Sequence, residues 1–215
     1  LIRYQNNPNL FIFDSMSGRK LLSLKLHENE SFRGWSPNSS YLLICSHIGR
    51  YLLIRCSTTG KQVALIKTSE GNPHQVSWSP DGSRILTDLL GSNPFLSVFS
   101  SHTGKLLLRI EVPRPHGFLG QYWSQDSSRI IYKTHNHNNS NDPHRLSVVD
   151  SSSGKQIYEW SFDHHLYFGS GSFSPDGSRI LLLYSELGSE RRHKIPYIKL
   201  LDIAVIPPEK SSVYK

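Results

Sequence analysis

Ser77-Trp78-Ser79-Pro80-Asp81-Gly82-Ser83-Arg84-Ile85-Leu86 returns almost unchanged as Ser172-Phe173-Ser174-Pro175-Asp176-Gly177-Ser178-Arg179-Ile180-Leu181. Looser copies stand in the same register: Gly34-Trp35-Ser36-Pro37-Asn38-Ser39-Ser40 and Tyr122-Trp123-Ser124-Gln125-Asp126-Ser127-Ser128-Arg129. The aromatic residues at 35, 78, 123 and 173 are 43, 45 and 50 residues apart. Proline presets the first turn position, and Asp or Asn caps the turn by bonding its own backbone two residues on. Glycine takes the positive φ that closes it. The phrase therefore reads as a tight turn between two strands.

A second turn alternates with the first: Ser17-Gly18-Arg19-Lys20, Thr59-Gly60-Lys61, Thr103-Gly104-Lys105 and Ser153-Gly154-Lys155. Its glycines step by 42, 44 and 50, in time with the first series. Between the turns lie short β-branched and aromatic runs such as Tyr41 to Ser46, Tyr51 to Cys56 and Val63 to Lys67, and no segment keeps a helical period over 12 residues.

Each repeat supplies four strands, a to d. Strand a ends at the aromatic residue, b follows the first turn, c ends near Asp14, Cys56, Phe99 or Asp150, and d follows the Gly-Lys turn. Four antiparallel strands per roughly 40 to 50 residues is the signature of a propeller blade. The expected fold is an all-β propeller of four-stranded antiparallel blades, about three complete and two partial, from a larger ring of seven or eight. The propeller segment spans residues 1–205 in units of about 1–30, 31–73, 74–117, 118–165 and 166–205. Strand b of the first unit is placed at Leu1 to Gln5, and residues 206–215 are a tail or linker.

The Ser-Trp-Ser-Pro-Asp-Gly-Ser-Arg-Ile-Leu phrase resembles the WD-repeat superfamily, and the resemblance recurs over nearly the whole chain. The Gly-His and Trp-Asp dipeptides that name those repeats are absent: the corresponding strand ends read Phe13-Asp14, Arg55-Cys56, Phe99-Ser100 and Val149-Asp150. Asn72-Pro73-His74-Gln75-Val76 and Arg114-Pro115-His116-Gly117 are similar to YVTN-type propellers, and TolB-like propellers share the Ser-Pro-Asp-Gly phrase. The WD-repeat resemblance implies a non-enzymatic platform for protein partners. The YVTN resemblance implies the alternative, an enzymatic or ligand-binding propeller of the lactonase sort.

Composition narrows the field. With 215 residues, 37% hydrophobic and 11% aromatic, the chain can bury a core and is not disordered. It contains no run of 18 apolar residues of the kind that crosses a bilayer as a helix, and no membrane is expected among its partners. The two cysteines, Cys45 and Cys56, read as small strand hydrophobes, with a hairpin disulfide as the alternative; so few cysteines point to the cytoplasm or another intracellular compartment. The net charge of +7 permits acidic proteins or nucleic acid as partners. An RNA-associated propeller is thus a second alternative, but no aromatic array accompanies the basic residues for stacking on bases.

The a–b and c–d turns share one edge of the blades and repeat closely, whereas the b–c and d–a loops share the other and vary. Those varying loops are Leu89 to Asn93, His135 to His144, Glu186 to Lys194, Glu28 to Ser31, Ser69 to Pro73 and Pro113 to Gly117. Function sits preferentially on loops held by a rigid scaffold. Protein partners are therefore expected at Arg114, His116, His135, His137, Arg191, Arg192 and Lys194. His135 and His137, alternating and close to Asp142 and His144, are a candidate cation pair, though a polar insertion is the simpler reading. The repeated Asp81, Asp126 and Asp176 read as turn formers. No nucleophile motif, phosphate loop or metalloprotease motif occurs, so no catalytic, cofactor-binding or metal-binding residue and no cofactor is assigned.

Overall fold

The computed structural model describes residues 9–68, 70–90, 95–112, 116–136, 142–162, 166–187 and 194–202. The proposed strand at Leu1 to Gln5 and the tail at 206–215 lie outside them. The chain divides into two compact units, Leu1–Leu107 and Leu108–Lys215.

In the first unit, β1 (Asn9–Phe13) and β2 (Lys20–Lys25) form a two-stranded sheet. It is followed by a complete blade of β3 (Glu30–Trp35), β4 (Tyr41–Ser46), β5 (Tyr51–Cys56) and β6 (Gln62–Lys67), paired in sequence order. Next come β7 (Asn72–Trp78), β8 (Arg84–Leu90), β9 (Phe95–Ser100) and β10 (Leu106–Glu111), the last running across the boundary between the units. The second unit holds β11 (His116–Trp123), β12 (Arg129–Asn136), β13 (His144–Asp150) and β14 (Gln156–Phe162) as a four-stranded sheet. It ends with three strands, β15 (Leu166–Phe173), β16 (Arg179–Leu187) and β17 (Lys194–Asp202). We number these five sheets blades 1 to 5. The strand pairings described are antiparallel, and the all-β, four-stranded blades are those expected from the repeat.

The core lies between blades. Leu43, Leu52, Ile54 and Ile66 of blade 2 pack with Ile85 and Phe99 of blade 3. Within the second unit, Ile131, Leu146, Val148, Trp160 and Phe162 of blade 4 pack with Ile180 of blade 5. Strands b and c, covered on both faces, are therefore apolar almost throughout, as in β4 (Tyr-Leu-Leu-Ile-Cys-Ser) and β9 (Phe-Leu-Ser-Val-Phe-Ser).

The first turn repeats down to single hydrogen bonds. In blade 3 the Ser79 hydroxyl donates to Asp81 Oδ1 (2.5 Å) and accepts from Arg84 N (2.9 Å), while Ser83 N donates to Asp81 Oδ1 (3.0 Å). Ser124, Asp126, Ser128 and Arg129 make the same bonds in blade 4, as do Ser174, Asp176, Ser178 and Arg179 in blade 5. The repeated aspartates are turn formers. The left-handed residue is Gly82 and Gly177 in two copies, but Ser39 (φ 59°) and Ser127 (φ 61°) in the others, so this turn tolerates a side chain.

The second turn does not. Gly104 (φ 69°) and Gly154 (φ 72°) are left-handed, and each also meets strand d of the preceding blade. A Cβ on Gly154 would lie 2.9 Å from Leu108 Cδ1, and one on Gly104 3.3 Å from Ile66 Cγ1. These glycines therefore serve as interblade spacers as well as turn closers.

A buried serine that opens the second turn ties it to the first. Ser57, Ser101 and Ser151 donate their N–H groups to the carbonyls of Ser40, Ser83 and Ser128 at 2.9, 3.0 and 2.9 Å. Their hydroxyls reach the carbonyls of Ser39, Gly82 and Ser127 at 2.8, 2.8 and 2.7 Å.

Cys45 and Cys56 are free thiols at opposite ends of the β4–β5 hairpin, since Cys45 pairs with Leu52 and Cys56 with Tyr41. The hairpin disulfide is thereby ruled out by register.

Gly154→Ala, measured by urea unfolding, lowers stability by about 2–4 kcal/mol, from the left-handed backbone plus the clash with Leu108. Gly18→Ala, with the same φ but nothing within 4 Å, shows only the backbone part, about 1–2 kcal/mol. Hydrogen bonds from Ser124 and Ser128, and from Ser174 and Ser178, hold the carboxyls of Asp126 and Asp176 at about 2, below the usual 3.8. A depressed carboxylate contributes stability that is complete above the unfolded value and lost as pH falls through the folded one. Asp126→Asn therefore flattens the loss of stability between about pH 4 and pH 2, followed by chemical denaturation across that range.

Candidate functional site

The varying edge of blades 2 and 3, within the first unit, gathers polar groups from β3, the β4–β5 loop, β7 and β8. Strand a is bulged in both blades, between Phe32 and Gly34 and between Pro73 and Val76. A bulge withdraws backbone groups from the ladder and re-aims side chains. In blade 3 the freed N–H of Gln75 donates to Asp88 Oδ1 at 2.5 Å, and His74 Nδ1 lies 3.3 Å from Asp88 Oδ2. Asp88 is buried (2% exposed) while His74 is 52% exposed. Burial pushes the Asp88 carboxyl up, against the pull of the Gln75 N–H and His74. With Nδ1 turned to the carboxylate, His74 presents Nε2 outward.

A second chain of bonds crosses from blade 2 to blade 3. Arg33 Nη2 meets His47 Nε2, and His47 Nδ1 meets the Pro73 carbonyl. Guanidinium has no acceptor and a carbonyl no donor, so Nε2 accepts and Nδ1 carries the proton. The buried Cys45 thiol also faces the Pro73 carbonyl, at 3.7 Å. Arg50, left-handed at φ 51°, donates from Nε to Asn72 Oδ1 at 3.0 Å. Below it, Tyr51 Oη donates to Glu30 Oε1 at 2.7 Å, and His27 N donates to Oε2 at 2.9 Å, fixing the preceding loop.

In blade 4, Lys133 occupies the fifth position of strand b, which Asp88 holds in blade 3, Cys45 in blade 2 and Leu183 in blade 5. Lys133 is 3% exposed, and its Cε lies 3.5 Å from where a Cβ on Gly120 would be. Burial lowers its pKa. At the end of the same strand, His135 stacks on His144 with ring centroids 6.0 Å apart, and Asn136 Nδ2 donates to Asp142 Oδ2.

The loops of this edge are shorter than expected, because strand pairing continues beyond the apolar core. His135 pairs with Gly117, His116 with Asn136, and Lys194 with Leu187, so all three lie in strands. Arg114, His137, Arg191 and Arg192 lie outside the described residues. Among the described residues no three His, Cys, Asp or Glu side chains converge as a metal-binding group. No described helix is long and apolar enough to cross a membrane. Arg33, His47, Arg50, His74, Asp88 and Lys133 were not singled out from sequence. The readable signal was the fifth strand-b position, where a carboxylate and an ammonium replace the thiol and leucine of the other copies.

No family model matches this sequence. No curated protein matches it either. Solved structures do: hydrazine synthase of Kuenenia stuttgartiensis is similar over 90% of this chain and 56% of its own, with 13% identity and a TM-score of 0.68. The β-propeller domain of Cps50 (Swd1) from Myceliophteria thermophila is similar over 90% and 64%, with 13% identity and a TM-score of 0.61. The fold is a β-propeller. Dihydro-heme d1 dehydrogenase NirN is similar over 88% of this chain and 41% of its own, with 17% identity and a TM-score of 0.60. The chain thus spans less than two thirds of each of these relatives.

On the opposite, repeated edge, Cys56 stands where Asp14 and Asp150 cap the second turn in blades 1 and 4. The hydroxyls of Thr58 and Thr59, then their N–H groups, bring its thiol down from 9.0 to about 6. Native-state alkylation by iodoacetamide, followed by mass spectrometry over pH 5–9, is expected to show a half-maximal rate at Cys56 near pH 6. Thr58→Ala with Thr59→Ala moves that midpoint toward 9, and buried Cys45 stays unreacted.

Proposed function

We propose that this chain belongs to a WD-repeat-like propeller acting as a non-catalytic protein–protein interaction scaffold, whose partners dock on the b–c and d–a edge. The observation that carries this reading is the contrast between the two edges. One edge has the same turn hydrogen bonds in blades 3, 4 and 5, a division of labour suited to structure. The other differs from blade to blade and carries dissimilar charged groups on a common backbone. The Swd1 propeller domain shares the fold and supports the comparison with WD repeats. A ligand-binding propeller is the second reading, favoured by the buried Asp88 that orients an exposed His74; hydrazine synthase and NirN are enzymes by name with the same fold.

Charge reversal separates the edges. Arg191→Glu, Arg192→Glu and Lys194→Glu together are expected to reduce a co-purifying partner about tenfold, as quantified by mass spectrometry of the purified assembly. Lys61→Glu, Lys105→Glu and Lys155→Glu, on the repeated turns, leave it in place. Loss from the second set alone, or from neither, contradicts the proposal.

A further inference from the structure

The edge of blades 2 and 3 carries a linked set of basic side chains. Three side chains there, two guanidinium groups and an imidazole, are each held by a neighbouring acceptor. Arg33 is held by His47 Nε2, Arg50 by Asn72 Oδ1, and His74 by Asp88. The three are contiguous: His47 bonds the Pro73 carbonyl, Asn72 and His74 flank Pro73, and the rings of His47 and His74 are 6.5 Å apart. Asp88 is itself buried beneath Gln75 N and His74, while the guanidinium-bearing Arg33 and Arg50 are exposed.

Two further facts point outward. Arg50 is one of the few non-glycine residues with positive φ, a conformation an arginine adopts at a cost and one that recurs at functional positions. Ile48 is 75% exposed in the turn that carries Arg50, and it follows His47, which holds Arg33. An exposed apolar side chain in the same turn as an arginine offers a partner both an apolar and a charged contact.

We propose that this edge binds an acidic peptide segment of a partner protein, its carboxylates paired by Arg33 and Arg50 and an apolar side chain seated against Ile48. Paired N–H donors of guanidinium match the two oxygens of a carboxylate. The inference rests on the scaffold reading and names the chemistry of one docking point on it.

The test is fluorescence anisotropy of the full chain with a fluorescein-labelled peptide of glutamates around a central leucine. Its lysine counterpart and a single-stranded oligonucleotide serve as comparisons. The glutamate peptide is expected to bind, with affinity falling as salt rises. Arg33→Gln with Arg50→Gln weakens it about tenfold. Ile48→Ser, at an exposed tip where loss of the fold is not expected, weakens it separately, whereas Lys105→Gln with Lys155→Gln does not. Absence of binding, equal loss in the Lys105/Lys155 variant, insensitivity to both edge variants, or tighter binding of the oligonucleotide through the same arginines overturns the proposal. If the Arg33/Arg50 variant keeps its peptide while reversal at Arg191, Arg192 and Lys194 strips a partner, this docking point fails and the scaffold reading stands.

Discussion

A blade of this protein depends on one arrangement at its repeated edge: a buried serine at the mouth of the second turn bonds twice to the first. It supplies a protein donor to the carbonyls at 39–40, 82–83 and 127–128. An intramolecular hydrogen bond contributes about 0.5–1.5 kcal/mol net, and the arrangement occurs in all three complete blades. With the two hairpins joined at one end, strands b and c are locked in register, and their apolar runs can be buried on both faces. The glycine three residues later admits strand d of the preceding blade, so the same short segment sets both the blade and its spacing.

That concentration of structural duty at one edge frees the other. There the backbone is shaped by strand-a bulges instead of repeated turns. The groups that satisfy it differ from blade to blade: a histidine and a thiol on the Pro73 carbonyl, a carboxylate on the Gln75 amide. Burying Asp88 is costly, and it is tolerated because an N–H and an imidazole meet both of its oxygens. The cost is borne at a position where Cys45 shows that an uncharged residue fits the fold. Charges kept at such a position are better explained by what they orient than by what they stabilise.

The sequence carried the strands and the alternation of turns plainly, because Pro, Asp and Gly report backbone angles through local sterics. It carried the turn role of Asp81, Asp126 and Asp176 for the same reason. Ser57, Ser101 and Ser151 also repeat in register, yet went unread: serine is common in every turn, and its value here comes from burial against a segment 17 to 24 residues away. The site was less legible still. His74 and Asp88 meet through a bulge, and Arg33 and His47 through a neighbouring blade, neither of which leaves a spacing in the chain. Loop boundaries were drawn too wide at His116, His135 and Lys194, where strand pairing outruns the apolar pattern.

Amide hydrogen exchange of the folded chain tests the central claim, that the joined turns lock the repeated edge of each blade. The N–H groups of Ser57, Ser101 and Ser151 are expected to be protected as strongly as those of β4, β8 and β12, while Ile48 exchanges quickly. Exchange at the three serines as fast as at Ile48 would contradict the account.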